Sequence, residues 1–266
     1  MEKPGNTENS TLLFSEIDRH KDNIYVLQHE LKKVVPLHSH PQGHILIVMN
    51  DVAIVDVENN AFYIPYGHFV WIPSGKSHHI SFEDRTIQLL CIYYPQNFSD
   101  DSFYQEVGIY PIPTLLHEAL NLIKDETREY ASKEWKYELL STLNHILPNI
   151  IAQKHSQLWL PTTQHPIAQK IVSAIQRNYR LPISAQSIAD EVGMSVRTMS
   201  RYMHNELGIS FIQYLRKYRI IMSVKQLVKG EDSITNIAYS VGYESLSVFS
   251  NSFHMVTGYR PSYFLK

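Results

Sequence analysis

Between Ile24 and Pro95 the apolar positions come in short bursts: IYVLQHEL, HILIVM, VAIVDV, AFYIPY, FVWIP, HHISF and TIQLLCIYY. Turn-prone pieces, MND, ENN, PYG and PSGK, divide them. Strand-length bursts at this even spacing predict an antiparallel barrel or sandwich. After Tyr110 the period changes. LLHEALNLIKDETREY and EWKYELLSTLNHILPNII carry helical spacing, clearest at Trp135, Leu139, Leu143, Ile146, Leu147, Ile150 and Ile151. Such a stripe either packs back on the strands or pairs with the same helices of a second chain, and a homodimer is expected.

The C-terminal part repeats itself. SIADEVGMSVRTMSRYMHNELG from Ser187 and NIAYSVGYESLSVFSNSFHMVTG from Asn236 both read Ile-Ala, two residues, Val-Gly, a short turn and a second helical stretch that closes at Gly208 or Gly258. Ala189 and Ala238 are small enough for two helices to cross closely, and Gly193 and Gly242 suit a tight interhelical turn. Each copy is thus a helix-turn-helix unit, and the second carries one more residue before its closing glycine. In the first copy Met199, Tyr202, Met203 and Leu207 share a core face, which leaves Arg197, Thr198, Ser200, Arg201 and His204 at the surface. The second buries Phe249 and Phe253 and shows Glu244, Ser245, Ser247, Ser250, Asn251 and His254. FIQYLRKYRIIMSVKQLV between the copies reads as one long helix with a mixed face of Tyr214, Tyr218, Ile221 and Val224 or Lys225, a rigid spacer between two reading heads.

Composition adds a boundary and a charge asymmetry. A chain of 266 residues with 44% hydrophobic and 19% charged residues suits two folded domains. Residues 1–159 hold 12 Lys and Arg against 20 Asp and Glu, whereas residues 160–266 hold 12 against 6. A basic small domain joined to an acidic larger one points to nucleic acid for the former. The polar start MEKPGNTENS has no apolar core for a signal peptide, so a cytoplasmic location without a membrane partner is expected. The single cysteine, Cys91, lies in an apolar run and is read as a buried, inert thiol.

Three histidines crowd HSHPQGH (His38, His40 and His44), and GHFVWIPSGKSH sets Gly67, Pro73, Gly75 and His78 at turn-forming intervals. The two segments together resemble the paired motifs of the cupin family, with His44 where that family usually carries Glu and Phe82 where it carries Asn. The resemblance implies a small jelly-roll barrel with these side chains directed inward. His38, His40, His44 and His78 are then a nitrogen-donor set for a divalent transition metal such as zinc, nickel, cobalt or iron, with His79 turned the other way. The alternative is a metal-free pocket whose histidines only form hydrogen bonds. Tyr25, Tyr63, Phe69 and Trp71 are candidates to line the same effector pocket.

Residues 166–266 resemble the AraC/XylS family of bacterial transcription regulators, through the two repeated units and the terminal GYRPSYF. The departures are Asn251 where the family often has Arg and His254 where it often has Lys. The resemblance implies promoter DNA as partner, and RNA polymerase where the protein activates. Ser195, Arg197, Thr198, Ser200 and Arg201 of the first unit, and Ser245, Ser247 and Asn251 of the second, are the DNA-contact candidates. The fold expected is an all-β cupin barrel over residues 1–110, linker helices over 111–158, and an all-α DNA-binding domain over 165–266 with helix-turn-helix units near 184–205 and 233–254. No catalytic residue is assigned. Two other functions stand beside this one: a cupin metalloenzyme, dioxygenase or isomerase, fused to a DNA-binding domain, and a ligand-independent regulator whose barrel only dimerises. Against the enzyme, Asp51, Asp56 and Glu58 show no diagnostic acid/base spacing.

Overall fold

Seven of the apolar bursts become strands, because alternation on a pleated chain lets one set of side chains face inward and the next face away. The structure, a computed structural model, describes residues 20–83, 86–95, 102–123, 126–151 and 156–265. The polar start of the chain lies outside them. The strands are β1 (Ile24–Leu31), β2 (Val35–His38), β3 (Gly43–Val48), β4 (Val52–Val57), β5 (Asn60–Pro65), β6 (His68–Ile72), β7 (His78–Ser81), β8 (Ile87–Tyr94), β9 (Gly108–Pro111), β10 (Arg128–Tyr130) and β11 (Trp159–Pro161). One sheet runs β10-β1-β8-β3-β6-β9, and the other β11-β5-β4-β7-β2. Two compact units divide the chain. One is built from residues up to Val57 and from Ile64 to the end of the helices that follow the barrel, the other from Glu58–Tyr63 and from Ser156 onward.

In the first unit, Ile24, Val26, Ile45, Ile47, Phe69, Trp71, Leu90 and Ile92 form one face of the six-stranded sheet. Two helices, α1 (Thr114–Ile123) and α2 (Trp135–Ile150), cover that face. The helices therefore pack back on the barrel. The buried stripe of α2 is Leu140, Leu143, Asn144 and Leu147, whereas Trp135 is 62% exposed. The expected stripe is thus rotated by part of a turn, since the sheet selects the face that puts Leu140 into its core. The ETREY end of the first helical segment also differs. Arg128–Tyr130 pairs with Val26–Ile24 of β1 and sinks Tyr130 fully into the core, which a helix there would not achieve. Cys91 is buried, and burial pushes its thiol up to about 12.

Among its described residues the second unit holds six α-helices: α3 (Pro166–Asn178), α4 (Ala185–Val192), α5 (Val196–Leu207), α6 (Phe211–Lys229), α7 (Ile234–Ser240) and α8 (Leu246–Thr257). From α4 to α8 every helix starts after a serine: Ser184, Ser195, Ser210, Ser233 and Ser245. In the first four, the serine hydroxyl accepts a backbone N–H three residues on, a cap that contributes about 1 kcal/mol. The long connector α6 buries Phe211, Tyr214, Leu215, Ile220, Ile221, Val224, Leu227 and Val228. These lie on several sides of the helix, so it is the core of the unit rather than a rod with one mixed face. Among the described residues no helix is long and apolar enough to cross a membrane.

The extra residue of the second repeat falls in its turn. One residue separates Gly193 from the cap Ser195, whereas Tyr243 and Glu244 separate Gly242 from Ser245. Both glycines have positive φ, +76° and +92°. Their surroundings differ: a Cβ on Gly193 would meet nothing within 4 Å, but one on Gly242 would lie 2.7 Å from the Tyr179 carbonyl oxygen and 2.9 Å from that of Arg180. Gly193→Ala is expected to cost about 1 kcal/mol from backbone strain alone. Gly242→Ala adds a backbone clash and is expected to cost about 3 kcal/mol. Denaturant unfolding of the two variants checks the order, and equal losses would contradict it.

Candidate functional site

HSHPQGH is a strand end, a turn and a strand start. β2 ends at His38 in one sheet and β3 begins at Gly43 in the other, so His38, His40 and His44 do not share a strand. They meet nonetheless. His38 stands opposite His78 in the β2–β7 ladder, with ring centroids 4.2 Å apart. His40, in the turn, lies 5.3 Å from His78 and 4.7 Å from His44, and His44 lies 5.1 Å from His78. One ring nitrogen from each of His38, His40 and His78 lies within 4.8 Å of the other two. His44 stands outside that converging set. Its ring stacks on Tyr93 at 4.8 Å and 17°, and its buried Nδ1 has no hydrogen-bond partner among the described residues. His79 turns to the opposite face of β7, where Asp56 holds its Nδ1 at 3.1 Å.

The second motif supplies the clamp for the first. The Gly75 N–H donates to the His40 carbonyl at 2.9 Å, and the Ser74 hydroxyl donates to the Pro41 carbonyl. Gly43 then re-enters the sheet where a Cβ would lie 2.6 Å from the Trp71 ring, so only glycine fits. The PSGK turn and the small residue at 43 together place His40 beside His78.

Three backbone carbonyls fix the ring protons. The Nδ1 atoms of His38, His40 and His78 face the oxygens of Pro36 at 2.9 Å, Gln42 at 2.7 Å and Lys76 at 2.9 Å. A carbonyl oxygen only accepts, so each Nδ1 carries the proton and each Nε2 keeps its lone pair. Burial disfavours the charged form and pushes His40 down to about 4 and His78 to about 3. His38 is lowered and His44 is held well below the usual range, burial again being the main cause. At neutral pH the cluster presents uncharged imidazoles to whatever enters.

Of the expected lining residues, Tyr25 shares the face of the histidines. Cross-strand registers place Tyr25, Tyr93, His44 and Ile72 in one row across the sheet. Phe69 and Trp71 point to the other face, into the core under α1 and α2, because β6 alternates and Val70 and Ile72 take the inner positions. Tyr63 groups with the second unit, where the Lys225 ammonium lies 5.2 Å over its ring. The sequence reading missed Tyr93, which touches both His40 and His44, and His68, which is 1% exposed and lowered to about 4 by burial. Strand parity would have found His68, two positions before Val70. Tyr93 needed the register of β8.

On α5, Arg197, Ser200, Arg201 and His204 are exposed, Thr198 is half-buried, and Met199 and Met203 are fully buried. Neither arginine forms an ion pair among the described residues. Ser195 is the helix cap and is hydrogen-bonded to the Thr198 backbone at 3.1 Å. On α8, Ser247, Asn251 and His254 are exposed, while Ser245 starts the helix without a side-chain cap bond. Arg260 was not anticipated. It reaches Ser250 Oγ at 3.2 Å and adds a positive charge beside a helix that contains no lysine or arginine.

Two family descriptions match the chain: "AraC-like ligand binding domain" over residues 23–143 and "Helix-turn-helix domain" over residues 188–266. The HTH-type transcriptional regulator NimR of Escherichia coli K12 is 26% identical over 235 residues, 86% of this chain and 82% of that protein. The HTH-type transcriptional activator RhaS of Pectobacterium carotovorum is 28% identical over 93 residues, 35% of this chain and 33% of its own length. Among solved structures, the C-terminal domain of AraT, a response regulator from Geobacillus stearothermophilus, is 32% identical over 38% of this chain and 84% of its own, with a TM-score of 0.37. With its ligand-binding domain ahead of two helix-turn-helix units, the chain belongs to the AraC family of DNA-binding transcriptional regulators.

Proposed function

We propose that this regulator reads promoter DNA with α5 and α8 and takes, as effector in its barrel, a divalent transition metal ion on His38, His40 and His78. The observation that carries the reading is the convergence of three neutral histidines, one ring nitrogen of each within 4.8 Å of the other two, with each ring oriented by an Nδ1–H···O=C bond. Metal-binding histidines are oriented in this way, by the hydrogen bond on the far side of the ring. The donor set suits zinc, nickel, cobalt or iron, and because the imidazoles are already neutral, uptake at pH 7 displaces no proton. A bound ion would supply a cross-link between the turn after β2 and strand β7. His44 and Tyr25 close the space beside the triad and serve to exclude water or to contact an additional organic ligand.

Sensing is favoured over turnover because the group contains histidines alone, while Asp56 is engaged by His79 on the opposite face. The exposed apolar residues Leu115, Leu122, Trp135 and Ile150 on α1 and α2 support pairing of two chains through these helices. A promoter partner places the protein in the cytoplasm, with RNA polymerase as further partner where it activates.

Protein purified without chelator is expected to carry near-stoichiometric metal by plasma mass spectrometry, and the His38→Ala/His78→Ala double variant none. Metal absent from both, and not taken up when Zn²⁺, Ni²⁺, Co²⁺ or Fe²⁺ is added, would contradict the metal reading and leave an organic effector. On the DNA side, Arg201→Ala is expected to weaken binding to a selected site by about 1–3 kcal/mol, as loss of a bidentate base contact does. An unchanged gel-shift affinity would remove Arg201 from the interface.

A further inference from the structure

The two reading helices share one frame but carry different chemistry. Met199 corresponds to Phe249, Met203 to Phe253 and Gly208 to Gly258, each pair in the same structural role. On the outward face, Arg197 is then matched by Ser247, Thr198 by Val248, Arg201 by Asn251, and His204 by His254. The centre of the face thus changes from a guanidinium to an amide, and its flank from a hydroxyl to two methyl groups.

Val248 is 57% exposed in the first turn of α8, and Asn251 stands one turn further on, with no hydrogen bond from its amide to any described residue. Lone exposed valines are ordinary. This one stands next to a primary amide in the helical turns that enter a major groove in such units. A guanidinium donates two parallel N–H bonds to O6 and N7 of guanine. An amide accepts from N6 and donates to N7 of adenine, and aliphatic methyls pack on the C5-methyl of thymine. Arg260 flanks α8 through Ser250 and is placed for a phosphate, which adds attraction without base choice.

We propose that the two units read opposite base-pair classes: α5 a guanine-containing block through Arg197 and Arg201, and α8 an A·T block through Asn251 on adenine and Val248 against a thymine methyl. The inference rests on the DNA-reading assignment above. The binding site of one chain is therefore chemically polar, G·C at one end and A·T at the other, about one helical turn apart.

Selection of the full-length protein on a randomised duplex library, followed by sequencing of the bound fraction, tests this. Wild type is expected to enrich two blocks, one with a fixed guanine and one restricted to A·T pairs. Asn251→Ala should flatten the A·T block alone and weaken binding to the selected site about 5- to 150-fold, while Asn251→Arg should replace the preferred adenine by guanine. Val248→Ser should relax only the thymine position. Both residues are exposed, so these variants fold, as circular dichroism would verify. A G·C-rich second block, or an A·T block that persists unchanged in Asn251→Ala, overturns the inference and leaves specific DNA reading intact. If wild type enriches no sequence, the DNA-reading assignment fails and takes the inference with it.

Discussion

A charged imidazole is too costly in the space between the two sheets, and that constraint shapes the rest of the N-terminal unit. His44 and His78 are each 1% exposed and His40 is 5% exposed, so burial holds all three in the neutral form. A neutral ring still has one N–H to satisfy. Local carbonyls take it in His38, His40 and His78, and the carbonyl that serves His40, that of Gln42, is in reach because β2 stops at His38 and the chain turns through Pro41 and Gln42. The turn in turn depends on Gly75 and Ser74, which hold the carbonyls of His40 and Pro41. The two motifs are one device: the second positions the first.

The C-terminal unit solves a different problem with repeated parts. Serine caps and left-handed glycines set helix lengths locally, and the buried faces of α5 and α8 repeat position by position. Duplication fixes the frame and leaves the outward positions free to diverge. The charge difference between the helices, two unpaired arginines on α5 against a serine and an asparagine on α8, is offset in part by Arg260 arriving from beyond the repeat.

Much of this was readable from residues alone, for identifiable reasons. Period-two bursts gave β1 and β3 to β8, and the Ile-Ala…Val-Gly repeat gave α4, α5, α7 and α8 down to the residue added in the second turn. What failed needed tertiary information. Helical spacing in α2 was right, but the sheet chose Leu140 over Trp135 as the buried position. ETREY has too few residues to declare its period, and pairing with β1 made it a strand. Phe69 and Trp71, candidates for the pocket lining, face the core instead, and an apolar strand buried on both faces does not show which parity faces the histidines. The same ambiguity hid Tyr93 in IQLLCIYY.

If a metal ion on the histidine cluster is the effector, its occupancy and DNA binding are linked, and each changes the affinity of the other by the same factor. The most direct measurement is the dissociation constant for one selected DNA site, with saturating metal and with chelator, in wild type and in the His38→Ala/His78→Ala variant. A ratio of about 5-fold or more, in either direction, is expected in wild type, and a ratio of one in the variant. Equal affinities in wild type under both conditions would contradict the linkage.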